Sequence, residues 1–269
     1  MRSRKAGSIM DTLSLVHLGR IEYAEGLALQ RRLCGLRRQR GEGREGQEGN
    51  IGDVLLLLEH PPVLTLGRNA DPAHVLADPR LLAGRGIPVI ETDRGGDVTY
   101  HGPGQLVGYP ILDLRGFSPR LGAVDYMRRL EEVVIRACAD YGVLTQRIAG
   151  RTGVWTLPGG AVQEKKIAAF GVHFAGGVTS HGFAVNVSTD LRDFRLIVPC
   201  GIADREVTSM EAEVDPALHP VPTLEEMSHS IARHFARVFG RQVVWLASLE
   251  DLLASSRSGR PPEECGGIA

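Results

Sequence analysis

The sequence predicts an α/β (α+β) domain, a mixed β-sheet flanked by helices. Three observations lead there. Extended apolar runs come in groups, separated by a few long helical segments, with no strict strand–helix alternation and no internal repeat. The helical segments carry an amphipathic period. Of the 269 residues, 43% are hydrophobic and 23% charged, a balance that supports a buried core.

The elements follow in order. Ile21 to about Arg38 is rich in helix formers, with Leu27, Leu33 and Leu36 able to share a face. Arg38–Asn50 is a Gly/Glu/Arg/Gln stretch too polar to bury a core and reads as a surface loop. Val54–Leu58 reads as a buried strand, broken by His60-Pro61-Pro62 and resumed at Val63–Leu66. Ile87–Glu91, Val98–Tyr100 and Leu106–Leu114 are further strands. From Val124 to Tyr141 the apolar positions 124, 127, 130, 133, 134, 137, 138 and 141 make the clearest amphipathic helix, closed by Gly142. Gly153–Leu157, Ile167–Phe174 and Phe183–Val187 are extended. Thr223 and Glu226 form a capping box ahead of Met227, Ile231, Phe235 and Val238, a second such helix. Val243–Trp245 and a short helix near Leu249–Leu253 close a single domain of residues 11–255. Residues 1–10 and 256–269 read as disordered termini, and Met10 is an alternative start.

A formal net charge of −1 gives no nucleic-acid footprint. No apolar run approaches the roughly 18 residues of a membrane span, and none follows the basic Met1-Arg-Ser-Arg-Lys5 as a secretory signal requires. Cys34, Cys138, Cys200 and Cys265 are widely spaced with no CxxC pair. That spacing argues against a zinc site or a disulfide framework and for a reducing cytoplasm, where a thiol can act as a nucleophile.

Three stretches carry potential chemistry. Arg94–Gln105 has two pairs of glycines around Thr99, Tyr100 and His101, which fits either a costly hairpin or a site wall. It is neither a P-loop nor GxGxxG. Lys165-Lys166-Ile-Ala-Ala-Phe-Gly-Val-His173 begins with lysines that are either a solvated strand end or, held in a cleft, able to lower a thiol pKa. Val198-Pro199-Cys200-Gly201-Ile202 holds a cysteine between apolar neighbours, a setting more often inert packing than nucleophile, although Pro and Gly around it form a rigid turn.

Arg94-Gly-Gly-Asp-Val-Thr-Tyr-His-Gly-Pro-Gly-Gln-Leu-Val-Gly-Tyr-Pro110 resembles the signature of the lipoyl(octanoyl) transferases of lipoate biosynthesis. Glu59–Arg68, Gly153-Val-Trp155, Lys166–Val172, Gly177–Val187 and Leu196–Ile202 follow that family's motifs in the same order. The resemblance covers residues from about 20 to 240. It implies a fold shared with biotin and lipoate protein ligases. The implied activity is transfer of an octanoyl group from octanoyl-acyl carrier protein to a lysine of lipoyl domains. The implied acceptors are the lipoyl domains of 2-oxoacid dehydrogenase complexes and the glycine cleavage H protein, with no nucleic acid, membrane, metal or cofactor involved.

By the same resemblance the nucleophile maps onto Cys200 and its partner onto Lys166, the lysine directly before Ile-Ala-Ala; Lys165 is the neighbour. The acyl-binding segments map onto Arg94, Gly95, Gly96, Asp97, Val98, Thr99, Tyr100 and His101, onto Ala169, Phe170 and Gly171, and onto Gly182, Phe183 and Ala184. Lys166 is the implied base for the incoming amine, with His101, His173 and His181 behind it. Three features depart from the pattern: Leu64 in place of an aromatic residue, Gly176 in place of a basic one, and a long Arg38–Asn50 loop. Arg31, Arg32, Arg37 and Arg38 are either a docking face for an acidic carrier or a solvated helix end. Two other readings compete, an ATP-dependent lipoate or biotin protein ligase and a non-catalytic acyl-carrier-binding protein.

Overall fold

The computed structural model describes residues 12–39, 51–158, 163–198 and 206–258. Expectations for both termini, for residues 40–50, and for Pro199, Cys200, Gly201, Ile202 and Cys265 lie outside the described residues.

The strands are β1 (Thr12–Arg20), β2 (Asp53–Glu59), β3 (Val63–Leu66), β4 (Val89–Glu91), β5 (Val98–His101), β6 (Gln105–Ile111), β7 (Thr145–Ile148), β8 (Arg151–Thr156), β9 (Lys166–Ala175), β10 (Val178–Asn186) and β11 (Gln242–Leu246). The helices are α1 (Tyr23–Gln39), α2 (Pro79–Gly84), α3 (Ala123–Ala139), α4 (Met210–Glu213), α5 (Leu224–Phe239) and α6 (Leu249–Ser258). Eight strands form one mixed sheet in the order β11-β1-β2-β6-β10-β9-β8-β7, and β4-β3-β5 form a small second one. β1 runs parallel to β11 and to β2; the other neighbours in the large sheet are antiparallel.

β2 explains the continuous apolar run in the sequence. Leu55 and Leu57 face one core with α3 and α5 residues such as Leu130, Val134, Ile231 and Phe235. Val54, Leu56 and Leu58 face the other, against Leu33 of α1 and Leu252 of α6. A central strand covered on both faces has no polar positions to alternate with. On α1 the inward stripe runs through Leu29, Leu33 and Leu36, so Leu29 takes the place expected of Leu27.

The predicted caps form. Thr223 Oγ1 accepts from Glu226 N at 3.1 Å and Glu226 Oε2 accepts from Thr223 N at 2.8 Å, completing the capping box of α5. Gly142, at φ 76°, follows the last turn of α3. Gly176 and Gly177, at φ 59° and 83°, turn β9 into β10 as a two-residue hairpin; that backbone favours glycine where a basic side chain was the family expectation.

β1 was not expected, nor were β7 and α2. Arg37, counted above with a possible docking face, turns inward. It is buried, donating to Asp53 Oδ1 through Nε at 3.0 Å and Nη2 at 2.8 Å, while Arg31, Arg32 and Arg38 stay exposed. Among the described residues, no helix is long and apolar enough to cross a membrane.

Candidate active site

β2 passes into β3 through His60-Pro61-Pro62, and β5 into β6 through Gly102-Pro103-Gly104, so the small sheet folds back over the large one. Between them lies a cavity lined from both sheets and by Tyr23 of α1. Its far wall is the β9–β10 ladder. Ala169 pairs with Ala184, Phe170 with Phe183 and Gly171 with Gly182, so two segments separate in sequence are one continuous surface. At Gly171 a Cβ would meet Gly95 O at 2.7 Å, so only glycine lets the Arg94–Asp97 turn lie this close to β9. Gly95 N donates to Val172 O at 2.9 Å and ties that turn down.

Arg94, Gly96, Asp97, Thr99 and His101 also line the cavity; Gly95, Val98 and Tyr100 do not. Strand alternation divides the segment. Thr99 and His101 face the cavity, while Val98 and Tyr100 face a third core shared with Leu64, Phe194 and Leu196. Leu64 accordingly packs beneath the small sheet and is not a cavity wall. The Tyr100 hydroxyl donates to Asp193 Oδ2 at 2.9 Å. Arg94 is a staple as well as a wall: its guanidinium donates to Thr65 O and Asp97 O, both at 2.6 Å, and to Thr65 Oγ1.

Sequence reasoning missed Tyr23, Val107, Tyr109 and, as a wall residue, His181. Val107 and Tyr109 stand two apart on β6, a spacing that could have signalled a shared face. Tyr23, at the start of α1, gave no local signal; its ring stacks on His101 at 5.9 Å.

Burial lowers the pKa of three histidines around the cavity, His60, His101 and His181. Burial pushes His60 down to about 4. Its Nδ1 donates to Ile21 O at 2.8 Å, leaving Nε2 to accept from the Tyr109 hydroxyl at 2.7 Å. Burial and the neighbouring His60 push His101 down to about 3, which makes it a weak proton acceptor at neutral pH. Burial also lowers His181, against the opposing pull of Asp93, whose Oδ1 lies 2.9 Å from Nε2. His173 Nε2 lies 3.7 Å from the other oxygen of Asp93.

The two lysines differ sharply. Lys165 pairs with Glu213 Oε1 at 3.2 Å. Lys166 is 6% exposed, and its ammonium sits 4.8 Å from the centre of the Trp155 ring, with no carboxylate partner among the described residues. Gly153 makes room for it, since a Cβ there would lie 3.0 Å from Lys166 Cε. The chain that follows Cys200 returns to this lysine: Lys166 N donates to Glu206 O and Thr208 N to Lys166 O, both at 2.9 Å. The chain that precedes it is tied by Val198 N donating to His74 O at 2.8 Å. Cys34 and Cys138 are buried free thiols, and burial raises them to about 11 and about 12, so neither supplies a thiolate at neutral pH.

Residues 22–236 match the lipoyl protein ligase A/B catalytic domain model, a span that takes in every residue of this cavity. The chain belongs to the lipoyl protein ligase A/B family. Among its curated relatives, the octanoyltransferase of Acidobacterium capsulatum is 64% identical over 248 residues, covering 90% of this chain and 96% of that one. The octanoyltransferase of Koribacter versatilis is 50% identical over 253 residues, covering 93% and 94%. Among solved structures, a putative lipoate protein ligase from T. acidophilum with bound lipoic acid superposes with a TM-score of 0.63 at 16% identity, covering 92% of this chain and 94% of that one. That likeness establishes the lipoate-ligase fold expected from the sequence. Within this family fold, the cavity here is walled by the β9–β10 ladder, with Lys166 at the start of β9.

Proposed function

We infer that this chain is an octanoyltransferase of lipoate biosynthesis, passing the octanoyl group of octanoyl-acyl carrier protein to a lysine of lipoyl domains. The observation that carries this reading is the 64% identity to an octanoyltransferase over 90% of the chain. The cavity agrees with it. Phe170, Phe183, Val107 and the alanines suit an acyl chain, and the polar Arg94–His101 side suits a carbonyl end. The 2-oxoacid dehydrogenase lipoyl domains and the glycine cleavage H protein are the acceptors we assign, in a reducing cytoplasm. Residues 11–255 act as one catalytic domain.

In the mechanism we propose, Cys200 attacks the carrier thioester as a thiolate and the carrier leaves as its own thiol. Exchange of one thioester for another is near thermoneutral, so this half needs no ATP. The acceptor lysine amine then attacks the Cys200 thioester; the amide forms, the C–S bond breaks and the thiol is restored. Lys166, with no carboxylate to neutralise it among the described residues, favours the thiolate as an ammonium and takes the amine's proton once neutral. His101 is too weakly basic for that role.

The rival is an ATP-dependent ligase on the same fold. Octanoyl-carrier protein plus a lipoyl domain, without ATP, should add one octanoyl group to the domain. Product from free octanoate and ATP, with none from the carrier, would overturn the transferase reading in favour of the ligase.

A further inference from the structure

Two buried amides link the cavity to the strand that carries Lys166. Gln105, at the start of β6, is 1% exposed, and Asn186, at the end of β10, is 4% exposed. Backbone carbonyls fix how both amides point. Tyr100 O can only accept, so the Gln105 atom 3.2 Å from it is the Nε2 donor. Thr208 O can only accept, so the Asn186 atom 2.9 Å from it is Nδ2. These two assignments agree where the amides meet, Gln105 Nε2 donating to Asn186 Oδ1 at 2.9 Å. They also leave Gln105 Oε1 to accept from His101 Nδ1 at 2.7 Å, which sets the tautomer of a histidine that lines the cavity. Every polar group of both amides faces a partner of the right polarity.

The direction of this chain leads to Lys166. Thr208, whose carbonyl Asn186 holds, donates its own N–H to Lys166 O, and Lys166 N donates to Glu206 O. Val207 and Lys166 form an isolated parallel bridge, so the returning chain has little ladder to hold it there. Thr208 is 1% exposed, which leaves no solvent to replace the Asn186 contact.

We propose that Asn186 and Gln105 are positioning residues: they clamp Glu206–Thr208 against Lys166 and so hold that lysine in place without touching substrate. The inference rests on the reading of Cys200 and Lys166 as that pair. The clamp works through backbone, so its loss loosens Lys166 while the acyl-binding ladder at 169–171 and 182–184 stays paired.

The test uses full-length wild type, Asn186→Ala, Gln105→Ala and the double variant. Two quantities are read: the pH profile of Cys200 alkylation by iodoacetamide, scored by peptide mass, and single-turnover acylation by octanoyl-carrier protein. We expect the thiol profile to shift to higher pH in both single variants. Acylation should slow by about tenfold to 100-fold in Asn186→Ala with KM for the carrier unchanged. The double variant should be no worse than Asn186→Ala, as for two links of one chain. Should Asn186→Ala not fold, Asn186→Ser and Gln105→Ala give the same readings. A wild-type alkylation profile and acylation rate in the folded variants, or losses that add, would overturn the clamp alone. A wild type that never takes up the acyl group would overturn the thioester reading and the clamp with it.

Discussion

The Lys166 ammonium lies 4.8 Å from the centre of the Trp155 indole ring, and the ring is fully buried. A cation over an aromatic face gains about 0.5–2 kcal/mol, the upper figure where the site is desolvated. The contact therefore supports a charged lysine where no carboxylate does. Replacing Trp155 with Leu should slow acylation of Cys200 by about 2- to 30-fold, while Trp155→Phe, which keeps an aromatic face, should retain most of the rate. Single-turnover acylation at fixed pH checks this order.

Lys165 and Lys166 should separate cleanly. Lys165 is spent on Glu213, a partly exposed pair whose loss costs about 0–1 kcal/mol, so Lys165→Ala should keep its turnover. Lys166→Ala should abolish most turnover and move Cys200 alkylation to higher pH. Rate–pH profiles of the two variants decide the assignment, and full activity with an unchanged profile in Lys166→Ala would remove Lys166 from the mechanism.

The cavity floor is sensitive to one methyl group. A Cβ on Gly108 would fall 2.2 Å from the Phe183 ring, which both lines the cavity and packs into the main core. Gly108→Ala should cost about 1–3 kcal/mol of stability through overpacking and push the ring into the cavity where we propose the acyl chain binds. KM for octanoyl-carrier protein should rise more than KM for a hexanoyl analogue, which a steady-state comparison of the two donors measures.

Stability should fall with acid before any carboxylate titrates. In the unfolded chain His60 and His101 take up protons near pH 6.5, but in the folded protein they do so only at about 4 and about 3. Above pH 6.5 both states are neutral and neither residue gives a slope. Below it the unfolded state binds more protons, so each histidine removes about 1.4 kcal/mol per pH unit, until the folded forms protonate in turn. Urea midpoints at pH 7, 6 and 5 should decline, and His60→Gln should show a shallower decline than wild type.

Local signals made α3, α5 and the central strands legible: an apolar period, a capping box and an unbroken apolar run. β1 was not, because its place depends on β11 and β2, and β11 lies more than 200 residues away in sequence. The polar edge strand β7 and the one-and-a-half-turn α2 gave too little periodicity, although Asp78 before Pro79 does cap α2 as such a pair should. For the site, the resemblance named a contiguous stretch, Arg94–His101, and the pleat divides it: Thr99 and His101 reach the cavity and Val98 and Tyr100 the core behind it. Gln105 and Asn186 were unreadable in advance, since their role exists only once β6, β10 and the Glu206–Thr208 chain lie side by side.

Covalent catalysis at Cys200 is the central claim, and intact mass measures it directly. Mixed with octanoyl-carrier protein and no acceptor, the wild-type chain should gain one octanoyl group, mapped to Cys200, released by hydroxylamine and absent from Cys200→Ala. A wild-type chain that transfers octanoyl to a lipoyl domain yet never carries the adduct, or a Cys200→Ala variant that keeps its turnover, would contradict it.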